Sequence, residues 1–249
     1  MGLPMVESVA AQLPPTRYNL PNRPRGYDFV GLVGEGAMAR VYLVRCPDAA
    51  GTFFAMKVVC KADIAKRSKT EHIATERKVL LDCAGKGPAS AFVLGLHASF
   101  ETPYFCYMAL DFCPGGDLFE VQSKHFAAQR IPEGAARFYL AEVVLGLECI
   151  HATGYVVRDM KPENILIGQD GHARISDFDL ATPNGRGPKP EPHVGTQEYV
   201  PPEILKTVEA LGYGETVCAS SVGFAADVWV VGLMLFEMLH GYAACALRN

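Results

Sequence analysis

Alternating apolar and polar positions mark the first 110 residues, and this is the pattern of strands that bury one face in a sheet. The runs are separated by glycine or by Pro47-Asp48 and predict an antiparallel meander. A turn at Glu101-Thr102-Pro103 separates the last two runs. The predicted strands cover residues 27–34, 39–46, 52–60, 91–100 and 104–110.

Helical spacing appears in two segments. Residues 63–81 are charged at first and then place Ile73, Val79 and Leu80 at helical intervals, which predicts one helix. A second helix is predicted from Pro132 to about His151, because proline is favoured at the start of a helix. Its apolar face is expected to contain Phe138, Val144, Leu145 and Ile150.

The change from strands to helices predicts an α+β fold with two lobes. The strand-rich amino lobe covers residues 27–110, and the helix-rich carboxyl lobe covers residues 117–249. Residues 111–116 link the lobes and are expected to line a cleft. Residues 1–26 contain five prolines and predict a flexible amino-terminal arm.

Composition narrows the class of protein. The chain has 249 residues, of which 49% are apolar, and this describes a folded globular protein. A net charge of −4 with no long basic run argues against nucleic acid as a partner. Residues 228–247 are apolar, but Glu237 lies among them, so we expect a buried core helix and no membrane span.

Eight cysteines, none of them in a CxxC pattern, sit mostly in apolar runs. We interpret them as reduced core thiols of a cytoplasmic protein that is also compatible with the nucleus. No secretory signal is visible at the amino terminus.

Three elements of chemistry stand out in the amino lobe. The turn Gly34-Glu35-Gly36 lies between two predicted strands and would let backbone N–H groups approach phosphate oxygens, although such a pattern taken alone is more often a plain hairpin turn. Lys57 lies inside an apolar strand and needs an anionic partner, for which Glu76 is the natural choice. Alone, this pair could also be a solvated lysine and a solvated glutamate.

The carboxyl lobe carries the stronger signal. Arg158-Asp159-Met160-Lys161 leads to Asn164, and Asp177-Phe178 follows 18 residues after Asp159. Chance is a poor explanation for this constellation.

These residues resemble the motifs of eukaryotic protein kinases, specifically of serine/threonine kinases of the AGC group. Residues 158–164 are similar to the catalytic loop, and Asp177-Phe178-Asp179 is similar to the metal-binding motif. Gly195 to Tyr199 with Pro201-Pro202-Glu203 resembles the end of the activation segment, and Asp227-Val228-Trp229 the start of the central helix. The resemblance covers nearly the whole chain. It implies a bilobal kinase fold and phosphorylation of protein serine or threonine with ATP and Mg²⁺.

The same resemblance implies roles for single residues. Asp159 would accept the substrate hydroxyl proton, Lys161 would neutralise the transferred phosphoryl group, and Lys57 with Glu76 would hold the nucleotide phosphates. Asn164 and Asp177 would bind Mg²⁺. The implied ATP-binding residues are Gly34, Gly36, Val41, Ala55, Lys57, Leu110, Asp111, Cys113, Asp117 and Leu166. The implied substrate-binding residues are Asp117, Glu163, Thr196 and Glu237, which favours protein substrates with Arg or Lys before the phosphorylated residue.

Several positions depart from the family pattern. Asp179 replaces the usual glycine, which suggests a plant-type branch, and Ala39 replaces the third glycine of the glycine-rich loop. Pro192 stands where AGC kinases carry a phosphorylatable residue. The family's later helices are expected to follow Glu237, so we predict a truncated carboxyl lobe or a partner that covers it. The alternatives to an active kinase are a pseudokinase, a nucleotide-binding scaffold and an inactive kinase fragment.

Overall fold

The computed structural model describes residues 6–13, 24–36, 39–49, 52–66, 70–184, 197–202 and 223–244. The amino lobe is a five-stranded antiparallel sheet in the order β1-β2-β3-β5-β4, so β1 to β3 form the predicted meander, whereas β5 and not β4 pairs with β3. Its strands are β1 (Asp28–Glu35), β2 (Ala39–Cys46), β3 (Thr52–Cys60), β4 (Leu96–Glu101) and β5 (Phe105–Asp111).

The two faces of this sheet have different neighbours. Side chains alternate between the faces, so Lys57 and its cross-strand partners Val41 and Met108 share one face. That face packs toward the carboxyl lobe, since Met108 belongs to the main core that both lobes share. Phe54 belongs to a second apolar cluster on the opposite face.

Two helices follow β3 where one was predicted. Helix α2 (Lys61–Lys66) and helix α3 (Thr70–Cys83) lie on either side of residues 67–69, which are outside the described residues. Helix α3 buries Ile73, Val79 and Leu80 as expected. It also buries Glu76, which is 2% exposed.

The carboxyl lobe is built around two long helices, α5 (Glu133–Ala152) and α6 (Phe224–His240), which pack against each other. Helix α4 (Leu118–His125) follows the linker. Short strand pairs surround the loop between the long helices; they are β6 (Tyr155–Val156) with β9 (Thr182–Pro183), and β7 (Ile165–Ile167) with β8 (Ala173–Ile175).

The predicted apolar face of α5 is wrong, although the helix itself is confirmed. Phe138, Val144 and Leu145 are 47%, 51% and 40% exposed, and Ile150 is fully buried. The buried face contains Leu140, Val143, Leu147 and Ile150 together with the small residues Ala136 and Gly146. An added Cβ at Gly146 would lie 2.7 Å from the Phe92 carbonyl oxygen, so small side chains let this helix approach the loop before β4.

One strand boundary needs correction. The fourth strand was predicted over residues 91–100, but residues 88–92 form a 3₁₀ turn and the strand begins at Leu96. The amino-terminal arm contains a seven-residue helix, α1 (Val6–Gln12), between Pro4 and Pro14.

Helix α6 runs through the core as expected, and it buries Val230, Met234 and Met238. Within the described part of the chain, no helix is both long and apolar enough to cross a membrane. The six described cysteines are free thiols, and Cys83 and Cys149 are buried.

Candidate active site

The segment between β6 and β7 places several polar groups around one carboxylate. Asp159 is 8% exposed, and Lys161 Nζ donates to its Oδ2 at 2.7 Å. Asn164 Nδ2 donates to the Asp159 carbonyl oxygen at 2.7 Å and lies 3.3 Å from Oδ2. Burial alone would lower the pKa of Lys161, but the hydrogen bond to Asp159 and the charges of the nearby carboxylates together outweigh it and raise that pKa. The segment therefore holds an oriented carboxylate beside a cation.

Helix α6 anchors this segment through Asp227, which is 1% exposed. Its two carboxylate oxygens accept the Val157 and Arg158 main-chain N–H groups, both at 2.9 Å. His151 Nε2 lies 2.8 Å from Oδ2. Arg158 has a positive φ of 72°, a backbone conformation that persists only where the surroundings hold it. Asp227 supplies such contacts directly before Asp159.

Lys57 has the anionic partner that its burial requires. Its Nζ lies 2.6 and 2.8 Å from the two carboxylate oxygens of Glu76 and 3.4 Å from Asp177 Oδ1. Burial opposes both charges, lowering the pKa of Lys57 and raising that of Glu76. The carboxylates of Glu76 and Asp177 outweigh burial at Lys57 and raise its pKa, so the pair is ionised. This contact ties β3 to α3.

Asp177 reaches the same cleft from the carboxyl lobe. The next residue, Phe178, is fully buried in the core and fixes the chain at this point. Asp177 has a positive φ of 59°, which turns its side chain away from the direction that a regular strand would give. Its carboxylate is 44% exposed. The lobes thus bring Lys57, Asp159 and Asp177 to one cleft, as predicted.

The donors in the cleft fit a hard divalent cation. Asp177 offers an exposed carboxylate, and Asn164 is an amide held by its Nδ2 contacts to Asp159. Mg²⁺ prefers oxygen ligands and is commonly bound by one or two side chains together with substrate phosphates. Among the described residues there is no cluster of three or more His, Cys, Asp or Glu side chains that would form an all-protein metal cage. The residues therefore fit a cation that arrives with a phosphate ligand.

Small and aliphatic side chains line the sheet face above this cleft. Gly34 pairs with Val41 across the β1–β2 hairpin, and Ala55 pairs with Leu110 across β3 and β5. Leu166 on β7 packs against the same core from the carboxyl lobe. These residues form an apolar slot beside Lys57.

The comparisons identify the family. The protein kinase domain family matches residues 27–249. The chain belongs to the protein kinase domain family. Among its relatives, serine/threonine-protein kinase nrc-2 of Neurospora crassa is 33% identical over 88% of this chain and 36% of that protein. Serine/threonine-protein kinase Sgk2 of Homo sapiens is 36% identical over 88% of this chain and 54% of that protein.

A third relative, myotonin-protein kinase of Mus musculus, is 35% identical over 96% of this chain and 36% of that protein. This kinase domain spans between 36% and 54% of the length of these curated relatives. The resemblance to AGC-type serine/threonine kinases is confirmed. The plant-type branch that Asp179 suggests stays a prediction.

Other residues assigned to the nucleotide site of the kinase domain need finer description. Gly36 N–H donates to the Ala39 carbonyl oxygen at 2.8 Å, so this glycine also closes the hairpin turn. The Asp111 side chain lies on the opposite face of the sheet from Leu110, because neighbouring strand residues alternate. A nucleotide contact by Asp111 would therefore come from its backbone. Cys113 is half-buried in the linker.

The acidic residues predicted to read substrate arginines lie near one another. Glu163 is close enough to raise the pKa of both Asp117 and Glu237, although burial is the larger cause at each. Asp117 also caps α4, since its Oδ1 accepts the Glu120 N–H at 2.7 Å. Glu237 is 7% exposed and accepts a short hydrogen bond from the Tyr199 hydroxyl. Their substrate roles stay predictions, and Thr196 lies outside the described residues.

Sequence reasoning missed the residues that support the site. Asp227 and His151 hold the catalytic segment, and Tyr155 joins it to α3 through the Lys78 ammonium at 2.5 Å and Asp82 Oδ2 at 3.3 Å. A buried Asp in an apolar helix was the available signal for Asp227. Nothing in the sequence identified its main-chain partners.

Proposed function

We propose that this protein is a protein serine/threonine kinase that transfers the γ-phosphoryl group of Mg-ATP. The observation that carries the proposal is the oriented Asp159–Lys161 pair, with Lys161 Nζ 2.7 Å from the carboxylate, in the same cleft as the ionised Lys57–Glu76 pair. Phosphoryl transfer depends on positioning and on cations that offset the developing charge, and this cleft offers both.

Each residue has a distinct role in this proposal. Asp159 accepts the proton of the substrate hydroxyl, and Lys161 beside it offsets negative charge on the transferred group. Lys57, held by Glu76, contacts the nucleotide phosphates. Asn164 and Asp177 would hold the Mg²⁺ that enters with ATP and that bridges its phosphate oxygens.

A nucleotide-binding scaffold without catalysis is the alternative from another class. The replacement of a glycine by Ala39 in the phosphate-facing hairpin favours it. Against it, Lys57 has its Glu76 partner and Asp159 has Lys161 beside it, in the same cleft. A scaffold has no use for a base beside a cation at this position.

We also propose that the substrates carry arginine or lysine before the phosphorylated residue. The carboxyl half of the chain, residues 111–249, has a net charge of −8, and within it Glu163 lies near both Asp117 and Glu237. Guanidinium groups bind carboxylates in two-point fashion, so this cluster suits arginine. Asp117 and Glu237 have structural partners as well, which makes Glu163 the residue to vary.

The test measures phosphoryl transfer to a serine peptide and Mg-ATP binding for the same variants. A positioned general base contributes about 10²- to 10⁴-fold in rate, so Asp159→Asn should lose that factor while ATP binding stays nearly unchanged. Asp177→Asn should weaken Mg-dependent binding. Asp28→Asn is the matched control, since Asp28 is exposed and pairs only with Arg45 among the contacts seen here.

Trace transfer that is equal in wild type and both variants, with binding intact, would replace the kinase with the scaffold. The substrate arm uses peptides with and without arginine two and three residues before the serine. We expect a preference of about tenfold for arginine, reduced in Glu163→Ala. A preference for acidic peptides would refute the substrate proposal without affecting the first one.

A further inference from the structure

A charged network, formed by His97, Asp111, Asp170 and Arg174, lies behind the linker between the lobes. Asp111 ends β5, and its carboxylate accepts the Gly95 N–H at 2.9 Å and lies 2.6 Å from His97 Nε2. Arg174 on β8 reaches the same carboxylate, with Nε 3.8 Å from Oδ2. Arg174 also holds Asp170 through two contacts of 3.0 and 2.7 Å. The charged network therefore joins β4 and β5 of the amino lobe to β8 of the carboxyl lobe.

The charged network lies on the opposite side of the linker from the apolar slot beside Lys57. Asp111 pairs with Phe54 across β3 and β5, and Leu110 pairs with Ala55. Because side chains alternate along a strand, Phe54 and Asp111 face away from Ala55 and Leu110. Arg174 thus contacts β5 on the face of the sheet opposite to the face that would contact the nucleotide.

The space behind the linker is a cavity and not a packed core. Its volume is about 440 Å³, and residues of both lobes line it, including Phe54, His97, Phe112 and Gln169. A cavity offers few apolar contacts to hold the linker from this side. The charged network connects the lobes across it, beside the main-chain hydrogen bond from the Leu94 N–H to the Ile175 carbonyl oxygen at 3.0 Å.

Two glycines leave space for the side chains of the charged network. A Cβ on Gly95 would lie 2.7 Å from Asp111 Oδ2, and a Cβ on Gly168 would overlap the Arg174 guanidinium. An alanine at either position would move a charged side chain while removing no charge. Gly168 lies just after β7 and makes no contact with the nucleotide slot in the geometry described above.

Arg174 also lies beside a second linker residue. Burial raises the pKa of the Cys113 thiol to about 12, and the Arg174 guanidinium works in the opposite direction. The guanidinium is therefore near both Asp111 and Cys113. The side chain of Arg174 is 18% exposed, so water screens these interactions only in part.

We propose that Arg174 is a positioning residue for nucleotide binding. By holding Asp111 from the carboxyl lobe, it fixes the linker and so the separation between Leu110 above the slot and Leu166 below it. The inference rests on the proposed function, because it takes the cleft to be the ATP site. Loss of the contact lets the lobes change their angle and leaves the slot poorly shaped for the base of ATP.

The experiment titrates the full chain with a fluorescent Mg-ATP analogue and follows thermal unfolding in parallel. Arg174→Ala and Gly168→Ala should each weaken binding by about three- to tenfold, as expected for groups coupled through one network. Arg174→Lys keeps the charge and should stay within about twofold of wild type. Arg45→Ala is the control, because Arg45 forms an exposed pair with Asp28 far along the chain from the linker.

A double-mutant cycle with Asp111→Asn tests whether Arg174 acts through that residue. The combined variant should bind no more weakly than Arg174→Ala alone, and additive losses would overturn the proposal. It is also overturned if Arg174→Ala lowers the melting temperature while binding stays as in wild type, since that is a structural role only. If the wild-type protein binds the Mg-ATP analogue but does not transfer phosphate, the proposed function is refuted, and the binding test of Arg174 still applies. A wild type that binds no nucleotide overturns both.

Discussion

Asp227 gives a direct test of how α6 supports the catalytic segment. Its buried carboxylate accepts two main-chain N–H groups at 2.9 Å and faces His151 at 2.8 Å. Asp227→Asn keeps the shape of the side chain but replaces one oxygen with an NH₂ group. One of the two main-chain N–H groups then faces a donor and loses its acceptor.

The structure sets the expected magnitude. A hydrogen bond to a charged group contributes about 1.5–3 kcal/mol, and a buried donor without an acceptor costs about 1–3 kcal/mol. We therefore expect Asp227→Asn to lower the free energy of unfolding by about 3 kcal/mol. For a domain of this size, each kcal/mol moves the melting temperature by about 2–4 °C, which gives a loss of about 6–12 °C.

Catalysis should fall as well, because Asp227 holds the N–H of Arg158 directly before Asp159. Misplacement of a catalytic group by about 1 Å can cost about 10²-fold in rate, so we expect a loss of about 10- to 100-fold in kcat. Urea unfolding with an unchanged slope measures stability, and peptide phosphorylation below the melting range measures kcat.

The control for this test is Asp28→Asn on the surface, where the pair with Arg45 is more than half exposed on both sides. An exposed pair contributes little, and the control should change the free energy of unfolding by less than about 0.5 kcal/mol. If Asp227→Asn matches this control in stability and in kcat, the anchoring role is refuted.

Two further predictions concern titration. Burial raises the pKa of Glu237 despite its hydrogen bond with Tyr199, so ionisation of this carboxyl lowers stability as the pH rises from its unfolded pKa of about 4.3 through its folded pKa. Glu237→Gln removes this loss, so its unfolding free energy relative to wild type should rise as the pH increases from about 4.3 through the folded pKa of Glu237 and stay level above that pKa; a difference that falls with pH would contradict this. Burial raises the pKa of the Cys83 and Cys113 thiols to about 12, so iodoacetamide at pH 8 should alkylate both at least about tenfold more slowly than in the urea-unfolded chain, as read by peptide mass spectrometry. Equal rates in folded and unfolded chains would show that the thiols are not protected.

The parts of the fold that could be predicted are those with a local cause. The strands at 39–46 and 52–60 match their predicted bounds because alternation and turn residues both lie within the segment. The predicted apolar face of α5 took the wrong residues, because Leu140, Val143, Leu147 and Ile150 recur at helical spacing on the face that is buried. The close contact at Gly146 on that face depends on the folded chain. A glycine fits against the Phe92 carbonyl where a larger residue would clash.

The candidate catalytic residues could likewise be predicted from local sequence, whereas the residues that position them could not. Lys57 and Glu76 could be matched from the sequence, since a lysine inside an apolar strand demands an anion and a nearby helix supplies one. The partners of Asp227 are main-chain N–H groups 69 and 70 residues away, and every non-proline residue carries such a group. The same holds for Arg174 and Asp111, whose contact depends on where two lobes meet and on the room left by Gly95 and Gly168. The candidate catalytic residues can thus be predicted from charged residues in apolar segments, whereas the residues that hold them in place can be identified only from the folded structure.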